Sequence, residues 1–369
     1  MKAILLIVND IHFKGGGEKV ASHIASWYAQ KGVNCCILSM DKRKDTEIFP
    51  VAASVEIDYL NVKNTFVLSK LLVCIKLYKY LSTHNFDFIL GIGTYANVVL
   101  GILPKTYGKR VGCEHNSFDC VSFIWKMLRK ISYNKLDATI VLTNEDLFKM
   151  KQLNTCSFVI PNSIFLPEQK SSLNNKTILA IGKLYPQKGF DIMLHVFSSF
   201  AKINRDWNLV IVGDGQDKKK LLQMIEVLDL EDRIKIMPPT NNVSKYYLSS
   251  SIYLMTSRFE GLPMVLLEAQ SYGLPIISFD CKTGPKEVVS DNYNGYLLPE
   301  GEMDRMVDCI LKLCGDDKLR HLMGERAAKD ASRFSPEKVY MLWDKLFTLL
   351  SLYLKLFIFV GLVVNRILL

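Results

Sequence analysis

The 369-residue sequence lacks the patterns typical of a metal site, an exported protein or a nucleic-acid-binding protein. Its nine cysteines, an odd number, form no Cys-x-x-Cys pair and have no nearby histidine at metal-ligand spacing. We therefore expect reduced, mostly buried thiols in the cytosol. No Lys/Arg run is longer than Lys218–Lys220, and no nucleic-acid recognition signature is present, so nucleic acid is not an expected partner. The apolar start, Ala3–Val8, is too short for a signal peptide and predicts a first strand.

The usual glycine-rich nucleotide-binding motifs are also absent. The turn Gly15-Gly16-Gly17-Glu18 follows the predicted first strand, but it is neither Gly-x-Gly-x-x-Gly nor a Walker loop. This spacing argues against an NAD-dependent dehydrogenase. A glycine-rich turn before a helix can bring backbone N–H groups to a phosphate or a sugar, and it can equally be a tight structural turn.

Composition and charge indicate a globular protein with an anionic partner. Hydrophobic residues make up 49% and charged residues 22% of a chain that is long enough for two domains. The formal charge of +9 is uneven, because residues 1–165 hold 20 Lys/Arg and 13 Asp/Glu, a balance of +7. Acidic phospholipid or a phosphorylated substrate fits this basic half better than nucleic acid does.

Short apolar runs alternate with helical segments in both halves of the chain, as in parallel sheets covered by helices on both faces. We predict strands at 3–8, 34–40, 86–90, 110–114, 138–142 and 158–160, and, after a polar linker at 161–176, at 177–181, 209–212, 234–237, 252–255 and 275–278. The predicted fold class is α/β, with two facing, doubly wound, Rossmann-like domains at 1–165 and 166–345 and an apolar helical tail at 346–369. Such sheets bind ligands at the carboxyl ends of their strands, so we expect a cleft there.

The segment Ser257–Ala269 is the most informative stretch of the chain. A predicted strand leads into a Glu-Gly corner, a proline suited to the first helical turn, and an apolar helix with a second glutamate. Gly261 leaves room for a ligand at the backbone, and Glu260 and Glu268 could hold separate parts of one polyhydroxylated ligand. The same spacing also fits an ordinary strand–helix unit with one capping and one surface glutamate.

Two lysines flank the loop that follows the predicted strand 177–181. Lys183 and Lys188 would place two cations at the carboxyl end of that strand, an arrangement that suits a diphosphate. A lysine that opens a helix is unfavourable against the helix dipole unless an anion lies nearby. Solvated surface lysines would give the same pattern.

A polar cluster, Glu114-His115-Asn116-Ser117, comes directly after another predicted strand. We expect this cluster to point into the cleft rather than into the core. A lone histidine is more often structural than catalytic, so its position is the whole argument for His115 as a functional residue.

Taken together, five motifs resemble the family-4 retaining glycosyltransferases, whose two Rossmann-like domains form the arrangement called GT-B. The resemblance covers residues 1 to 345, and the runs 257–269 and 280–287 look most like enzymes of bacterial exopolysaccharide, capsule and O-antigen assembly, a part of lipopolysaccharide synthesis. The motifs are Gly-Gly-x-Glu at 15–18, Glu114-His115-Asn116, Gly-Lys-Leu-x-x-x-Lys-Gly at 182–189, Val212-Gly213-Asp214-Gly215 and the span from Glu260 to Glu268.

The resemblance implies a nucleotide-sugar donor, most often a UDP-sugar, held by the C-terminal domain. It assigns the ribose to Glu268, the diphosphate to Lys183 and Lys188, and the donor sugar to Glu260. The N–H groups of Gly261 and Leu262 would help to hold the sugar and phosphate. Gly16 and Gly17 would complete the diphosphate site, and His115 would lie beside the reacting carbon.

The resemblance also implies chemistry without a metal or another cofactor. Basic side chains neutralise the departing diphosphate in this family, and the sequence contains no Asp-x-Asp. No carboxylate nucleophile is evident for retention, which fits a reaction on one face in which the departing phosphate oxygen takes the acceptor proton. Lys183 stands where many members have arginine, and Met237-Pro238-Pro239 replaces a glycine near the base, so the preference for uracil is less secure.

Two other functions compete with transfer to a glycan or a lipid-linked saccharide. A nucleotide-sugar epimerase or hydrolase could use a similar two-domain scaffold, and it would act on a UDP-sugar without an acceptor. A degenerate, non-enzymatic scaffold at a membrane is the third hypothesis. The presence of Glu260, Glu268, Lys188 and His115 argues against it.

The tail carries one charge, Lys355, between Leu346 and Val364. Such a segment could pack on the N-terminal domain, lie in the membrane plane as an anchor or span the bilayer. Lys355 near the middle of a spanning helix would cost about 2.5–3.5 kcal/mol. Together with the basic first half, the tail predicts a cytoplasmic protein that is peripheral at the inner face of the plasma membrane.

Overall fold

The computed structural model describes residues 1–13, 15–41, 47–62, 67–105, 108–115, 118–153 and 155–367, without the side chains of residues 67, 68, 120 and 353–367. It divides into two compact units. The first contains Met1–Ser163 and Glu337–Leu369, and the second contains Ile164–Pro336. This division differs from the expected boundaries at 165/166 and 345/346, because nearly all of the long final helix belongs to the first unit.

The first unit is built on a parallel sheet of seven strands with the order β3-β2-β1-β4-β5-β6-β7. The strands are β1 Ala3–Val8, β2 Asn34–Ser39, β3 Glu56–Tyr59, β4 Phe88–Ile92, β5 Lys109–Cys113, β6 Ala138–Val141 and β7 Ser157–Val159. The helices between them are α1 Gly16–Gln30, α2 Val67–Thr83, α3 Thr94–Ile102, α4 Phe123–Ser132 and α5 Asn144–Lys151.

Alternate residues of this sheet point to opposite faces, and both faces are covered. Leu5 and Ile89 belong to the core cluster beneath α2, α3 and α4. Phe88, the neighbour of Ile89, points the other way and packs on Phe347 of the final helix, with ring centroids 4.3 Å apart. A parallel sheet buried on both faces needs continuous apolar strands, which is why Ala3–Val8 reads as an unbroken hydrophobic run.

The second unit repeats the architecture with six parallel strands in the order β10-β9-β8-β11-β12-β13. The strands are β8 Thr177–Ile181, β9 Asn208–Val212, β10 Ile234–Met237, β11 Ile252–Met255, β12 Ile276–Phe279 and β13 Gly295–Leu298. The helices are α6 Phe190–Ile203, α7 Lys218–Val227, α8 Ser244–Leu248, α9 Met264–Ser271, α10 Pro285–Val288, α11 Met303–Gly315 and α12 Asp317–Ala331.

Each sheet reverses its winding direction at one point, between β1 and β4 in the first unit and between β8 and β11 in the second. Doubly wound sheets bind ligands at such switch points, because the connections on either side run to opposite faces and leave a crevice. In the second unit, the loops that follow β8 and β11 lie next to each other at the carboxyl ends of these strands, because β8 and β11 pair in parallel, with Ile178 opposite Ile252. Both loops carry residues that the sequence singles out.

The last helix, α13 Pro336–Ile367, packs on the first sheet together with α1. The O–H of Tyr28 in α1 donates a hydrogen bond to Asp344, at 2.9 Å. The expected separate apolar tail at 346–369 is wrong for its first residues, because they continue this helix and are buried in the first unit: Leu346, Phe347 and Leu350. Among the residues that the structure describes, no helix is both long and apolar enough to cross a bilayer. The side chain of Lys355 lies outside the described part.

Candidate functional site

The loops after β8 and β11 are held together by a close backbone approach at Gly189. Gly189 has φ +63°, and a Cβ on it would lie 2.1 Å from the carbonyl oxygen of Thr256. The hydroxyl of Thr256 donates to the Gly189 carbonyl at 2.8 Å. A side chain at position 189 would be strained in conformation and would also collide with backbone, so glycine is required where the two loops meet.

An arginine clamp fixes the same two loops in a second place. The guanidinium of Arg258 donates two parallel hydrogen bonds to the carboxylate of Asp191, at 3.0 and 2.8 Å. This fork geometry is the strong form of an Arg–carboxylate pair, and it lowers the pKa of Asp191. The side-chain amide of Gln187 adds a bond to the Phe259 carbonyl at 2.9 Å. The clamp therefore positions the residues on either side of it, Lys188 and Glu260.

Lys188 and Glu260 form an ion pair at the switch point of the second sheet. The Nζ of Lys188 lies 2.6 Å from Oε1 of Glu260. The Glu260 side chain is 7% exposed and that of Lys188 is 21% exposed, so the carboxylate is the inner partner and the ammonium reaches the surface. The structure thus brings together a predicted diphosphate-binding residue and a predicted sugar-binding residue that are far apart in the sequence.

The corner that carries Gly261 rests on the loop after β12. The hydroxyl of Thr283 donates to the Glu260 carbonyl at 2.5 Å. A Cβ on Gly284, whose φ is +94°, would lie 1.9 Å from the Gly261 carbonyl oxygen. Leu262, two residues before α9, is buried at 4% exposure. Backbone amides near a helix start favour anions, and Gly261 and Leu262 lie just before α9, so their assignment to the donor stays a prediction.

Glu268 lies on α9 and contacts a buried tyrosine that sequence analysis did not identify. The O–H of Tyr247 donates to Oε2 of Glu268 at 2.9 Å. Tyr247 is fully buried and stacks on Tyr272, with ring centroids 4.9 Å apart. Burial, and then the charge of Glu268, raise the pKa of Tyr247 well above its usual value, so it stays a neutral donor. This contact orients the half-buried Glu268 carboxylate.

Lys183 lies on the half-buried loop after β8, and the next residue anchors that loop. The N–H of Leu184 donates to the Asp214 carbonyl at 2.9 Å. A Cβ on Gly213 would lie 1.9 Å from the Gly182 carbonyl oxygen, and one on Gly215 would lie 2.5 Å from the Leu184 carbonyl oxygen. The two glycines of the 212–215 motif therefore let one loop pack on the other and hold Lys183 in place.

In the first unit, the glycine-rich turn after β1 lies close to His115, the second residue after β5. A Cβ on Gly17 would lie 3.4 Å from Ile92 and 4.0 Å from Cδ2 of His115, whereas one on Gly16 would meet open space. The structure therefore brings Gly17 beside His115 and leaves Gly16 accessible. Asn116 and Ser117, which belong to the predicted polar cluster, lie outside the described residues.

His115 has both ring nitrogens buried, and neither has a hydrogen-bonding partner among the described residues. Burial lowers the pKa of His115 from 6.5 to about 4. The ring is therefore neutral near pH 7 and offers one N–H donor and one acceptor nitrogen rather than a positive charge. His115 lines a pocket with Asn162, Tyr340 and Trp343, all within the first unit.

Glu114, the other member of the predicted cluster that the structure describes, points into the core rather than into a cleft. It is 3% exposed and pairs with Arg129 of α4 at 2.8 Å, while the Arg129 side chain is fully buried. Thr94 donates to the same carboxylate at 3.0 Å, and Tyr133 also donates to it. The expectation for Glu114 was wrong because adjacent residues at a strand end point to opposite sides, and α4 supplies a buried cation on one of them.

We expect acidification to weaken the first unit through His115. The unfolded chain binds a proton near pH 6.5 and the folded ring near pH 4, so the free energy of unfolding falls as the pH drops through this range. Between pH 7 and about 4.5 wild type should lose about 2–3 kcal/mol more than His115→Gln does. Urea unfolding of both proteins at the two pH values measures this difference. Parallel losses in the two proteins would contradict the depressed pKa.

The chain is similar to known proteins over most of its length. Residues 164–330 match the family model described as glycosyl transferases group 1. The chain is 31% identical over 354 residues to an uncharacterized glycosyltransferase of Haemophilus influenzae, covering 93% of this chain and 99% of the relative. It is 29% identical over 355 residues, with the same coverage, to the amylovoran biosynthesis glycosyltransferase AmsD of Erwinia amylovora.

A third relative and two solved structures extend the comparison. The Campylobacter jejuni relative, named as an N-acetylgalactosaminyltransferase acting on a diphospho-undecaprenol saccharide, is 29% identical over 237 residues, 61% of this chain and 63% of its own. Anabaena HepE with UDP and glucose shares the fold with TM-score 0.79 at 19% identity, over 94% of this chain and 100% of HepE. Sucrose-phosphate synthase of Thermosynechococcus elongatus gives 0.84 at 14% identity, over 96% and 100%. The near full-length likeness to the Haemophilus influenzae protein and the match at 164–330 show that this chain belongs to the glycosyl transferases group 1 family.

Proposed function

We propose that this glycosyltransferase moves a sugar, with retention of configuration and without a metal, from a UDP-sugar to a glycan or lipid-linked saccharide in bacterial surface polysaccharide biosynthesis. The observation that carries the proposal is the Lys188–Glu260 pair at the switch point of the second sheet, where a sugar and a phosphate can be held side by side. The names of AmsD and of the Campylobacter jejuni relative support the polysaccharide and lipid-linked parts.

Donor binding falls to the second unit. Lys183 and Lys188 would neutralise the diphosphate, and Glu260 would accept hydrogen bonds from sugar hydroxyls. The N–H groups of Gly261 and Leu262 would meet the sugar and phosphate. Glu268, held by Tyr247 at 2.9 Å, would accept hydrogen bonds from the two ribose hydroxyls. The HepE structure, a complex with UDP and glucose, supports UDP as the nucleotide.

In the proposed reaction, negative charge develops on the nucleoside diphosphate as it leaves the sugar. The bond between the anomeric carbon and the phosphate oxygen breaks while the acceptor oxygen bonds to the anomeric carbon on the same face of the sugar. The departing phosphate oxygen takes the proton of the acceptor hydroxyl, so the nucleoside diphosphate leaves with that proton. Two lysines at fixed positions stabilise the negative charge without reorganisation. Gly16 and Gly17 would add backbone N–H groups to the diphosphate, and the neutral His115 would orient the acceptor or stabilise the transition state through a hydrogen bond.

We also propose where the reaction takes place. A lipid-linked acceptor is confined to a bilayer, so the protein would work peripherally at the cytosolic face of the plasma membrane. The balance of +7 over residues 1–165 supports attraction of the first unit to an anionic surface.

The proposal predicts that Glu268→Ala weakens UDP binding by about 10–100-fold, because hydrogen bonds to a charged group are worth about 1.5–3 kcal/mol each. Isothermal titration with UDP measures the change. Glu325→Ala, which removes an exposed carboxylate of the same unit, is the matched control and should bind as wild type does. Equal UDP affinity in Glu268→Ala and the control would refute the assignment of the ribose to Glu268.

A further inference from the structure

Helix α4 presents its large apolar side chains to solvent. The exposed fractions are 81% for Phe123, 63% for Ile124, 49% for Met127 and 51% for Ile131. Spaced one, four and eight residues after Phe123, they form a single stripe along the helix. Scattered exposed apolar residues are normal, but a continuous stripe on a helix of ten residues indicates a contact surface.

The orientation of α4 is fixed from inside the protein. Arg129 and Ser132, the polar residues of the opposite face, are fully buried. The buried ion pair of Arg129 with Glu114 at 2.8 Å does not allow the helix to roll its apolar stripe inward, since that would leave Glu114 unpaired in the core. The helix therefore packs Trp125 and Leu128 on the core and presents a second apolar stripe to solvent, whereas an ordinary surface helix has a polar outer side.

Helix α2 adds a second outward stripe on the same side of the sheet. Leu71, Ile75 and Tyr78 are 60%, 57% and 43% exposed, while Val73 and Leu77 point inward. Inward residues of α2 and α4 pack on one core cluster, so the outward sides of both helices lie on the same side of the first unit. We call these two outward sides the α2–α4 face. Its opposite, the other face of the sheet, is covered by α1 and α13.

The charged residues of α2 and α4 themselves are all basic, although Lys126 pairs with Asp119 of the preceding turn at 3.8 Å. Helix α2 carries Lys70, Lys76 and Lys79, helix α4 carries Lys126 and Lys130 beside the buried Arg129, and neither segment contains an acidic residue. Lysines beside outward apolar side chains are the composition of helices that lie in the interface of an anionic bilayer. A second copy of this chain would bring lysine against lysine across the contact, so charge complementarity favours lipid.

We propose that the α2–α4 face docks on the surface of an anionic lipid bilayer, with the stripe around Phe123 inserted among the lipid chains and the lysines at the headgroups. This inference deepens the proposed function, which needs a membrane-bound acceptor. It assigns the contact to α4 and α2 of the first unit rather than to the C-terminal residues.

The test is cosedimentation of the full chain with vesicles of phosphatidylcholine, with and without phosphatidylglycerol, in the absence of donor and acceptor. Wild type should bind the anionic vesicles, and the triple variant Phe123→Ser, Ile124→Ser, Met127→Ser should bind at least about tenfold more weakly. Lys79→Gln with Lys130→Gln should lose about fivefold per charge, in a salt-dependent manner. Ile203→Ser with Val227→Ser, exposed apolar positions of the second unit, is the matched control and should bind as wild type does.

Three outcomes would overturn the proposal. Equal vesicle binding by wild type and the triple variant would show that the membrane contact lies outside the α2–α4 face. The C-terminal residues would then be a candidate, because they are unchanged in every variant. No preference of wild type for anionic over neutral vesicles would remove the role of the lysines. A wild-type dimer in sedimentation without lipid that the triple variant converts to monomer would make the face a self-association surface. UDP titration of the triple variant separates this proposal from the donor site, because unchanged affinity shows an intact second unit.

Discussion

His115→Ala should lower the rate of sugar transfer by about 10²–10³-fold and leave UDP-sugar affinity unchanged within about twofold. His115 belongs to the first unit, whereas the side chains proposed to bind the donor belong to the second. We therefore expect the loss of His115 to raise the transition-state barrier rather than to weaken donor binding. Its ring nitrogens are buried without a partner among the described residues, and the ring is neutral at working pH because burial lowers its pKa to about 4. Single-turnover kinetics and donor titration on the same preparation measure the two quantities.

Two matched variants make the result specific to the imidazole. His115→Gln keeps a hydrogen-bonding side chain of similar size and should recover part of the rate that alanine loses. His195→Ala removes an exposed histidine on α6 of the second unit and should transfer as wild type does. Full turnover by His115→Ala would show that the histidine plays no part in the reaction, and a parallel fall in donor affinity would show that it binds the donor.

Arg129→Met should destabilise the protein by about 3–5 kcal/mol, the largest stability effect that we expect. The substitution leaves the Glu114 carboxylate buried without its cation and removes a hydrogen bond to the Phe118 carbonyl at 2.8 Å. Burial alone would lower the pKa of Arg129, but the charge of Glu114 outweighs burial and the pKa is raised, so Arg129 keeps its charge in the folded protein. Urea unfolding at pH 7 measures the loss.

Two further variants separate the pair from the helix that carries it. Adding Glu114→Gln to Arg129→Met removes the orphaned charge and should recover a large part of the stability. Lys149→Met, which breaks the more exposed pairs with Asp119 and Glu145, should cost no more than about 1 kcal/mol. If Arg129→Met cost as little as Lys149→Met, the buried pair would not be what fixes α4.

Most strands of the two sheets could be predicted from the sequence, because they are mainly runs of apolar residues. Strands Ala3–Val8, Thr177–Ile181 and Ile252–Met255 were predicted with the bounds that the structure has. Four elements were missed: β13 Gly295–Leu298 and three others, for which there is a physical reason. β3 alternates charged and apolar residues at a sheet edge, and α5 is short and largely polar. α3, with seven of its nine residues buried, has no polar face whose period could be read.

Candidate site residues could be named because they follow strands, but their partners could not be predicted. Which loops become neighbours depends on strand order, and the sequence does not show that β8 lies beside β11. The Lys188–Glu260 contact requires that order, because it joins the loops that follow these two strands. The prediction that Glu114 points into a cleft was wrong for a related reason, because only the packing of α4 reveals the buried Arg129 that pairs with it.

The 2.6 Å contact between Lys188 and Glu260 has a consequence for what the site will accept. A free phosphate that approaches Lys188 competes with the Glu260 carboxylate that is already bonded to it. Displacing this carboxylate leaves its negative charge largely buried and without a partner, which is unfavourable. A ligand that carries both an anionic group and hydroxyls can bind the Lys188 ammonium with the first and donate hydrogen bonds to the Glu260 carboxylate with the second. Under the proposed function, Glu260 would therefore compete with simple anions for Lys188 and would favour a sugar joined to a phosphate.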